Sequence, residues 1–512
     1  MSDWSEGYVT EIEYTQAYYA ELNPLRARLP LLYSGFRPPD VARACELGYG
    51  MGLSLAIHAA ATGIEWWGTD FNPSHAVNAG DMLRASGVAG HVFDESFAEF
   101  CTREDLPEFD FIGLHGIWSW VSEANRRCIV DLLARRLRPG GLLYISYNAM
   151  PGWAPMLPVR NFLAQYHAAC GRQAGGLLDN IGKTLDFARK LADLKTGYIG
   201  ANPSLAERIR KICEQNRSYL AHEYFNADWT PMAFGDVASR LSRAKLGFAC
   251  SAVPLDLVPF LNFTSEQAAL IEGTPDPVLR ETIRDLLSNQ QFRREYWVKG
   301  ARRLQRAEQQ AALRQERVAM SSLPGDLPEK IRTPVGEVSL HKEIYEPIVE
   351  AIWRLGAPLI GEVERECASR GIGIAQIAQA LVVLMGRGLV TPARDETAMR
   401  AAQAPSDALN SYLLASGRAG QGVDFLASPV SGGGVPVNAV QQLFIAARHA
   451  GLSSPGDLSD FAWRVLSGKG HKLLKDGKAL EEEHANRDEL AAQAREFLRS
   501  RAVVAGKMSI LR

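Results

Sequence analysis

An apolar run from Val41 to Leu47 ends in Gly48-Tyr49-Gly50-Met51-Gly52 and gives way at once to apolar residues at helical spacing. Nothing else in the sequence narrows the fold as much. Glycines in a strand-to-helix turn let the chain reverse tightly and let a ligand approach the backbone, and the following helix offers amide groups that lack partners of their own. The alternation continues downstream, with apolar runs at 65–69, 91–93, 109–114 and 142–147 and helical patterns at 54–62 and 123–137. The turn Arg138-Pro139-Gly140-Gly141 is expected to stop the second helix. This pattern predicts a parallel sheet flanked by helices, an α/β domain.

Beyond Trp153 the period turns helical at 161–170, 182–194 and 205–219, which reads as a helical insertion. A helix at 234–244 and an apolar run at 247–251 predict a return to the sheet. The stretch 277–315, rich in Arg, Glu and Gln, reads as an exposed helical connector. SSLPGDLP at 321–328 marks a boundary. Three short helices follow at 341–355, 359–370 and 374–387, a winged-helix-like unit, and the tail holds a Gly-rich stretch, SPVSGGGVP, read as a flexible turn between helices. The expected division is 1–165 for the sheet core, 166–320 for the insertion, return and connector, 329–395 for the winged-helix-like unit and 396–512 for a helical tail. A fragment ending near Ser321 is expected to keep the ligand site.

A dinucleotide fold would place G-x-G-x-x-G at the first turn to cradle a pyrophosphate. Here the spacing is G-x-G-x-G, with Glu46 two residues before Gly48. An acid sits badly beside a phosphate but well beside the ammonium of a methionine moiety. Asp70 ends the second strand, where a carboxylate accepts ribose hydroxyl protons, and Phe71 follows it. Asp94, Glu95 and Ser96 end the third strand, in reach of an adenine amino group. These features point to S-adenosylmethionine as cofactor on a Rossmann-like sheet. After the fourth strand, Gly113-Leu114-His115-Gly116-Ile117-Trp118-Ser119-Trp120-Val121 is expected to face the reactive sulfonium, where aromatic faces attract cations and exclude water. Tyr147 and Asn148 end the fifth strand and are expected to orient an acceptor amine.

The 56 basic and 58 acidic residues leave a net charge of -2, so no global field draws the chain to nucleic acid or anionic membrane. The third helix of the winged-helix-like unit, IAQIAQALVVLM, carries no Arg or Lys, which argues against DNA binding. Seven scattered cysteines without a CxxC pair suit a reducing cytoplasm and offer no metal site. His222-Glu223 lacks a second histidine at ligand spacing, so a helix-end hydrogen bond is favoured over a metal dyad. No secretory leader and no membrane span is expected.

The set ELGYGMG, HGIWSWV, YISYNAMPGW and Tyr219-Leu220-Ala221-His222-Glu223-Tyr224-Phe225-Asn226 resembles the bacterial class I methyltransferases that carry a methyltransferase regulatory domain, a family that includes lysine methyltransferases of outer-membrane proteins. The resemblance covers about the first 300 residues. It implies S-adenosylmethionine as methyl donor and cofactor roles for Glu46, Gly48, Gly50, Gly52 and Asp70, and Tyr49, inside the same turn, is expected to contact the cofactor with them. It also implies active-site roles for His115, Trp118 and Tyr147, which Asn148 joins by its place at the end of the fifth strand. The opening EIEYTQAYYAELNPLRARLP departs from the family in its tyrosines, and Tyr14, Tyr18 and Tyr19 are expected to cover the cofactor. The acceptor it implies is protein lysine. A small metabolite or peptide natural product is the alternative, as is a non-catalytic cofactor-binding regulator; a homodimer is left open.

Overall fold

The structure is a computed structural model that describes residues 16–170, 176–226, 228–419, 422–475 and 477–511. After helix α1 (Pro24–Tyr33), strands β1 (Arg43–Leu47), β2 (Glu65–Thr69), β3 (Gly90–Phe93), β4 (Phe109–Leu114) and β5 (Leu137–Asn148) alternate with helices α2 (Leu53–Thr62), α3 (Pro73–Ser86), α4 (Phe97–Thr102) and α5 (Glu123–Arg136). Later strands β6 (Leu246–Ser251) and β7 (Phe292–Lys299) complete one seven-stranded sheet in the order β3-β2-β1-β4-β5-β7-β6. The first five strands run parallel, and β7 is antiparallel to both neighbours. The order reverses beside β1, so the β1 and β4 ends open the crevice where such sheets bind ligands.

Local chemistry accounts for the helix starts. Asn72 accepts the Ser74 amide with Pro73 at the first helical position, and Ser122 caps α5 through the Asn125 amide. Ser96 and Glu99 form a reciprocal capping box on α4.

Three expectations are corrected. The stretch read as a helical connector contains β7, which fills the slot between β5 and β6. Its sequence, FRREYWVK, hides the strand because two inward residues are charged. Arg293 and Glu295 are both buried, and Arg293 reaches the carboxylates of Glu281, Asp285 and Glu295. A buried guanidinium is tolerable only when its charge is compensated in this way. Residues 138–141 do not end one element before the next begins. They form an irregularity inside β5, where pairing to β4 jumps from Phe109↔Leu137 to Phe111↔Leu142. Finally, SPVSGGGVP is not a loose turn: it joins strands Phe425–Ser428 and Gly433–Pro436 into a hairpin whose tip residues Val430 and Ser431 are buried.

The helical insertion forms as expected in kind, through helices Leu157–Cys170, Leu177–Asp193, Pro203–Cys213 and Arg217–Tyr224. The three helices after the boundary also form, as Lys342–Leu355, Ile360–Cys367 and Ile374–Gly386. The hairpin of this unit, Lys330–Thr333 with Gly336–Ser339, lies ahead of its helices rather than after them. The strand that follows them, Val390–Ala393, pairs back to Arg317–Met320. Among the described residues no single helix is long and apolar enough to cross a membrane.

The tail is packed into the sheet domain. Every residue of α2 from Leu53 to Ala61 is buried, because the sheet covers one side and the tail the other. Leu53, Ala56, Ile57, Ala60 and Met82 share one apolar core with Leu409, Leu413, Leu426 and Phe444. Arg394 donates to the Ala61 and Thr62 carbonyls at 2.6 and 2.8 Å, placing a cation at the negative end of α2. This packing speaks against a separable tail. We expect a chain ending at Ser321 to lose cooperative unfolding or solubility, and Leu409→Ala in the full chain to cost about 2–5 kcal/mol in urea unfolding. A soluble fragment with an unchanged melting temperature would contradict the shared core.

Candidate active site

The glycine turn is fastened from two directions. Gly48 lies in the left-handed region at φ 70° and donates its amide to the Thr69 carbonyl at 2.8 Å. A Cβ at Gly48 would stand 2.4 Å from the Ile117 side chain, so no larger residue fits. The Gly50 amide donates to Asp70 Oδ2 at 2.9 Å. Asp70 Oδ1 accepts the Asn72 amide at 3.1 Å and pairs with His75 Nδ1 at 2.9 Å. Gly52 serves packing instead: a Cβ there would meet Ala79 at 2.4 Å, and the residue does not reach the cavity.

Above this turn lies a cavity of about 1230 Å³, counting its open mouth. Glu46, Gly48, Tyr49 and Gly50 line it from the turn, Asp70 and Phe71 from the end of β2, and Glu95 and Ser96 from the end of β3. Glu46 is only 3% exposed, and its Oε2 has no hydrogen-bond partner. Burial, and secondarily the nearby Asp70, pushes its carboxyl well above the ordinary range. Tyr49 donates its hydroxyl to the Phe93 carbonyl at 2.7 Å. Glu95 gives Oε1 to Arg103, while Oε2 is buried and unpartnered. Asp94 is exposed and outside the cavity, since successive extended residues point to opposite sides.

At the end of β4, His115 lines the cavity with its ring stacked 3.7 Å from that of Tyr19 and its Nδ1 2.7 Å from the Tyr144 hydroxyl. Burial lowers its pKa to about 4, so the imidazole is neutral at pH 7. Four expected site residues face elsewhere. Trp118 is fully buried in the core beneath α5, with its carbonyl accepting from Arg126. Tyr147 is 1% exposed and donates to Glu295 at 3.1 Å, joining the Arg293 network. Asn148 is buried, its amide bound to Ser119 and its carbonyl to the Met232 amide. Tyr18 packs against the tail hairpin, 4.8 Å from the Phe425 ring. Tyr14 lies outside the described residues, as does the His222 side chain; Glu223, raised to about 7 by burial, is not at the cavity.

The structure adds residues that the sequence reading missed. His75 was legible only as a histidine five positions after a strand-end acid. Ser122 and Asn125 come from the start of α5, and Asn226 and Asp228 from the segment leaving the insertion, while Trp120, in the loop already expected to face the reacting end, does line the cavity. Trp120 lies 6.1 Å from Trp229, which in turn lies 5.1 Å from Trp153. Nothing in the spacing of residues 118 and 228 announces that they belong to core and cavity respectively.

A predicted methyltransferase regulatory domain matches residues 216–299, a segment that includes β6 and β7. Over 99% of both chains, the protein is 37% identical to uncharacterized protein sll1526 of Synechocystis. The structure of PKMT2 from Rickettsia typhi superposes with a TM-score of 0.66 at 16% identity, covering 97% of this chain and 99% of that one. The same protein in complex with AdoHcy gives 0.67 over 95% and 98%. The chain belongs to the class I methyltransferases that carry a regulatory domain. Uncharacterized protein RP789 of Rickettsia prowazekii is a more distant relative of this methyltransferase, 24% identical over 55% of the chain and 51% of its own length.

The raised carboxyl of Glu46 carries a sign. A ligand ammonium needs the carboxylate, so binding drives off the proton that burial retains, and affinity improves as pH rises through the raised pKa. Calorimetric titration of this methyltransferase with AdoHcy in buffers of different ionisation enthalpy should show net proton release below the raised pKa, fading as pH rises through it, and Glu46→Gln should abolish it. Equal proton release in both proteins would remove Glu46 from the site.

Proposed function

We propose that the protein is an S-adenosylmethionine-dependent N-methyltransferase whose acceptor is an amine, with a lysine side chain of a protein or peptide as the preferred substrate. The observation that carries the methyl-donor half is the unpartnered Glu46 oxygen, buried in the wall of this cavity. Glu46 would hold the methionine ammonium, Asp70 the ribose and the Glu95 side the adenine amino group. The AdoHcy complex of the Rickettsia typhi protein supports this reading. When bound, S-adenosylmethionine supplies an electrophilic methyl on a sulfonium.

The acceptor half rests on the mouth of the cavity. Asp228 is exposed there, and Trp120 offers an aromatic face, a pairing that draws in a cation. The acceptor arrives as an ammonium, since a lysine with a pKa of about 10.4 is neutral about once in a thousand near pH 7. Attack requires the lone pair, so the proton must leave first. His115, depressed to about 4, is too weak a base to hold that proton. Its neutral ring, locked between Tyr19 and Tyr144, instead shapes the reacting end and excludes water. The proton therefore leaves to solvent through the open mouth, and desolvation beside Trp120 favours the neutral amine.

Turnover should accordingly rise between about pH 7 and 9 where transfer limits the rate. Trp120→Ala should lower kcat by about tenfold or more with little change in affinity for the methyl donor. Trp118→Phe should act through stability alone, because that ring lies in the core. Mass spectrometry of proteins and small molecules incubated with labelled S-adenosylmethionine decides the acceptor. Label on lysine Nζ supports the proposal, label on a free metabolite amine narrows it to small substrates, and label only on oxygen or carbon contradicts it.

A further inference from the structure

The residue beside Tyr19 turns away from the cavity and into the far end of the chain. Tyr18 seats its ring on the tail hairpin so closely that a Cβ built on Gly434 would stand 2.9 Å from the ring, and one built on Gly433 would stand 2.6 Å from the hydroxyl oxygen. Two adjacent glycines are therefore what make room for this side chain. The phenol, kept protonated by burial, pairs with His58 Nε2 at 3.0 Å. His58 is itself fully buried in α2. Tyr18 is thus packed on the hairpin and bonded to the helix that follows the glycine turn.

One residue on, the chain faces the other way. Tyr19 donates its amide to Ser54 Oγ at 2.8 Å and stacks its ring on His115, while Ala17 also lines the cavity. Extended residues alternate in direction, so a fixed Tyr18 fixes the side to which Ala17 and Tyr19 point. Further along, Asn23 donates to the Ser431 carbonyl of the same hairpin at 3.4 Å.

We propose that Tyr18, seated on Gly433 and Gly434 of the C-terminal hairpin, is a positioning residue for the methyl-donor site, and that the tail holds the strap 17–23 so that Tyr19 stays over His115. The inference rests on the reading of this cavity as the S-adenosylmethionine site. It assigns the C-terminal tail a part in cofactor retention, through a residue that does not itself line the cavity. Loosening the seat frees Tyr19 to leave the cavity, which speeds departure of a bound ligand more than it slows arrival.

The test uses the full chain and AdoHcy as the probe, measuring affinity by calorimetry and dissociation by stopped-flow displacement. Gly434→Val, whose side chain must displace the Tyr18 ring, and Tyr18→Ala should each weaken AdoHcy by about tenfold, with the change carried by a faster off-rate. Tyr18→Phe, which keeps the ring and loses the hydroxyl bond to His58, should fall between them and the parent, and it decides the matter if either of the others fails to fold. Leu409→Ala changes the same tail-to-core interface at a residue outside the strap and outside its hairpin seat; it should lower the melting temperature and leave the off-rate unchanged. Parental off-rates in the folded Tyr18 and Gly434 variants would overturn the proposal. So would an equal acceleration in Leu409→Ala, since the effect would then be general loosening. A parent chain that does not bind AdoHcy would overturn the cofactor reading itself, whereas binding that is insensitive to Tyr18 overturns only the seat.

Discussion

Asp70 is the joint on which the site is built. Its two oxygens take the Gly50 amide, the Asn72 amide and the His75 ring, so one carboxylate ties the glycine turn, the end of β2 and the start of α3 into a single floor. An ionised carboxylate buried at a strand end is tolerated because these donors replace its hydration. Oδ1 takes two of these donors and Oδ2 one, so Oδ2 keeps lone-pair capacity for a ligand hydroxyl. The neighbouring Glu46 has no such support. The difference between the two acids is that Asp70 is braced by protein donors before any ligand arrives, whereas the Glu46 oxygen waits for its partner.

The same economy appears on a larger scale around α2. This helix begins at the glycine turn, and both ends of the chain close over it: the strap 17–23 from one side and the C-terminal hairpin with helix Glu396–Ala419 from the other. A helix buried on every side cannot shift without disturbing the turn it follows, and close-packed interiors transmit such shifts rather than absorb them. The tail is thus part of what holds the cavity in shape.

Much of this was legible in the sequence, and what was missed follows a pattern. The β1 turn, Asp70 and the alternation through β5 could be read because apolar periodicity and glycine chemistry are local properties. Strand β7 could not, since Arg293 and Glu295 look exposed until Asp285 and Glu281 are known to meet them. Trp118 and Trp120 have the same composition and opposite fates, because two residues in a tight loop after β4 face the core and the cavity in turn. His75 and Asp228 come to the cavity only through tertiary packing. The Gly-rich hairpin misled in the other direction: its glycines give close approach to Tyr18 rather than freedom of movement.

The central claim is that Glu46 and Asp70 divide one small molecule between them, the first taking its ammonium and the second its ribose. A crystal structure of the full chain with AdoHcy tests this most directly. The account predicts the amino group within hydrogen-bond distance of Glu46 Oε2, the ribose beside Asp70 with a hydroxyl donating to Oδ2, and the thioether facing His115 and Trp120. AdoHcy bound in the reverse direction, or ordered elsewhere while this cavity holds only solvent, would contradict it.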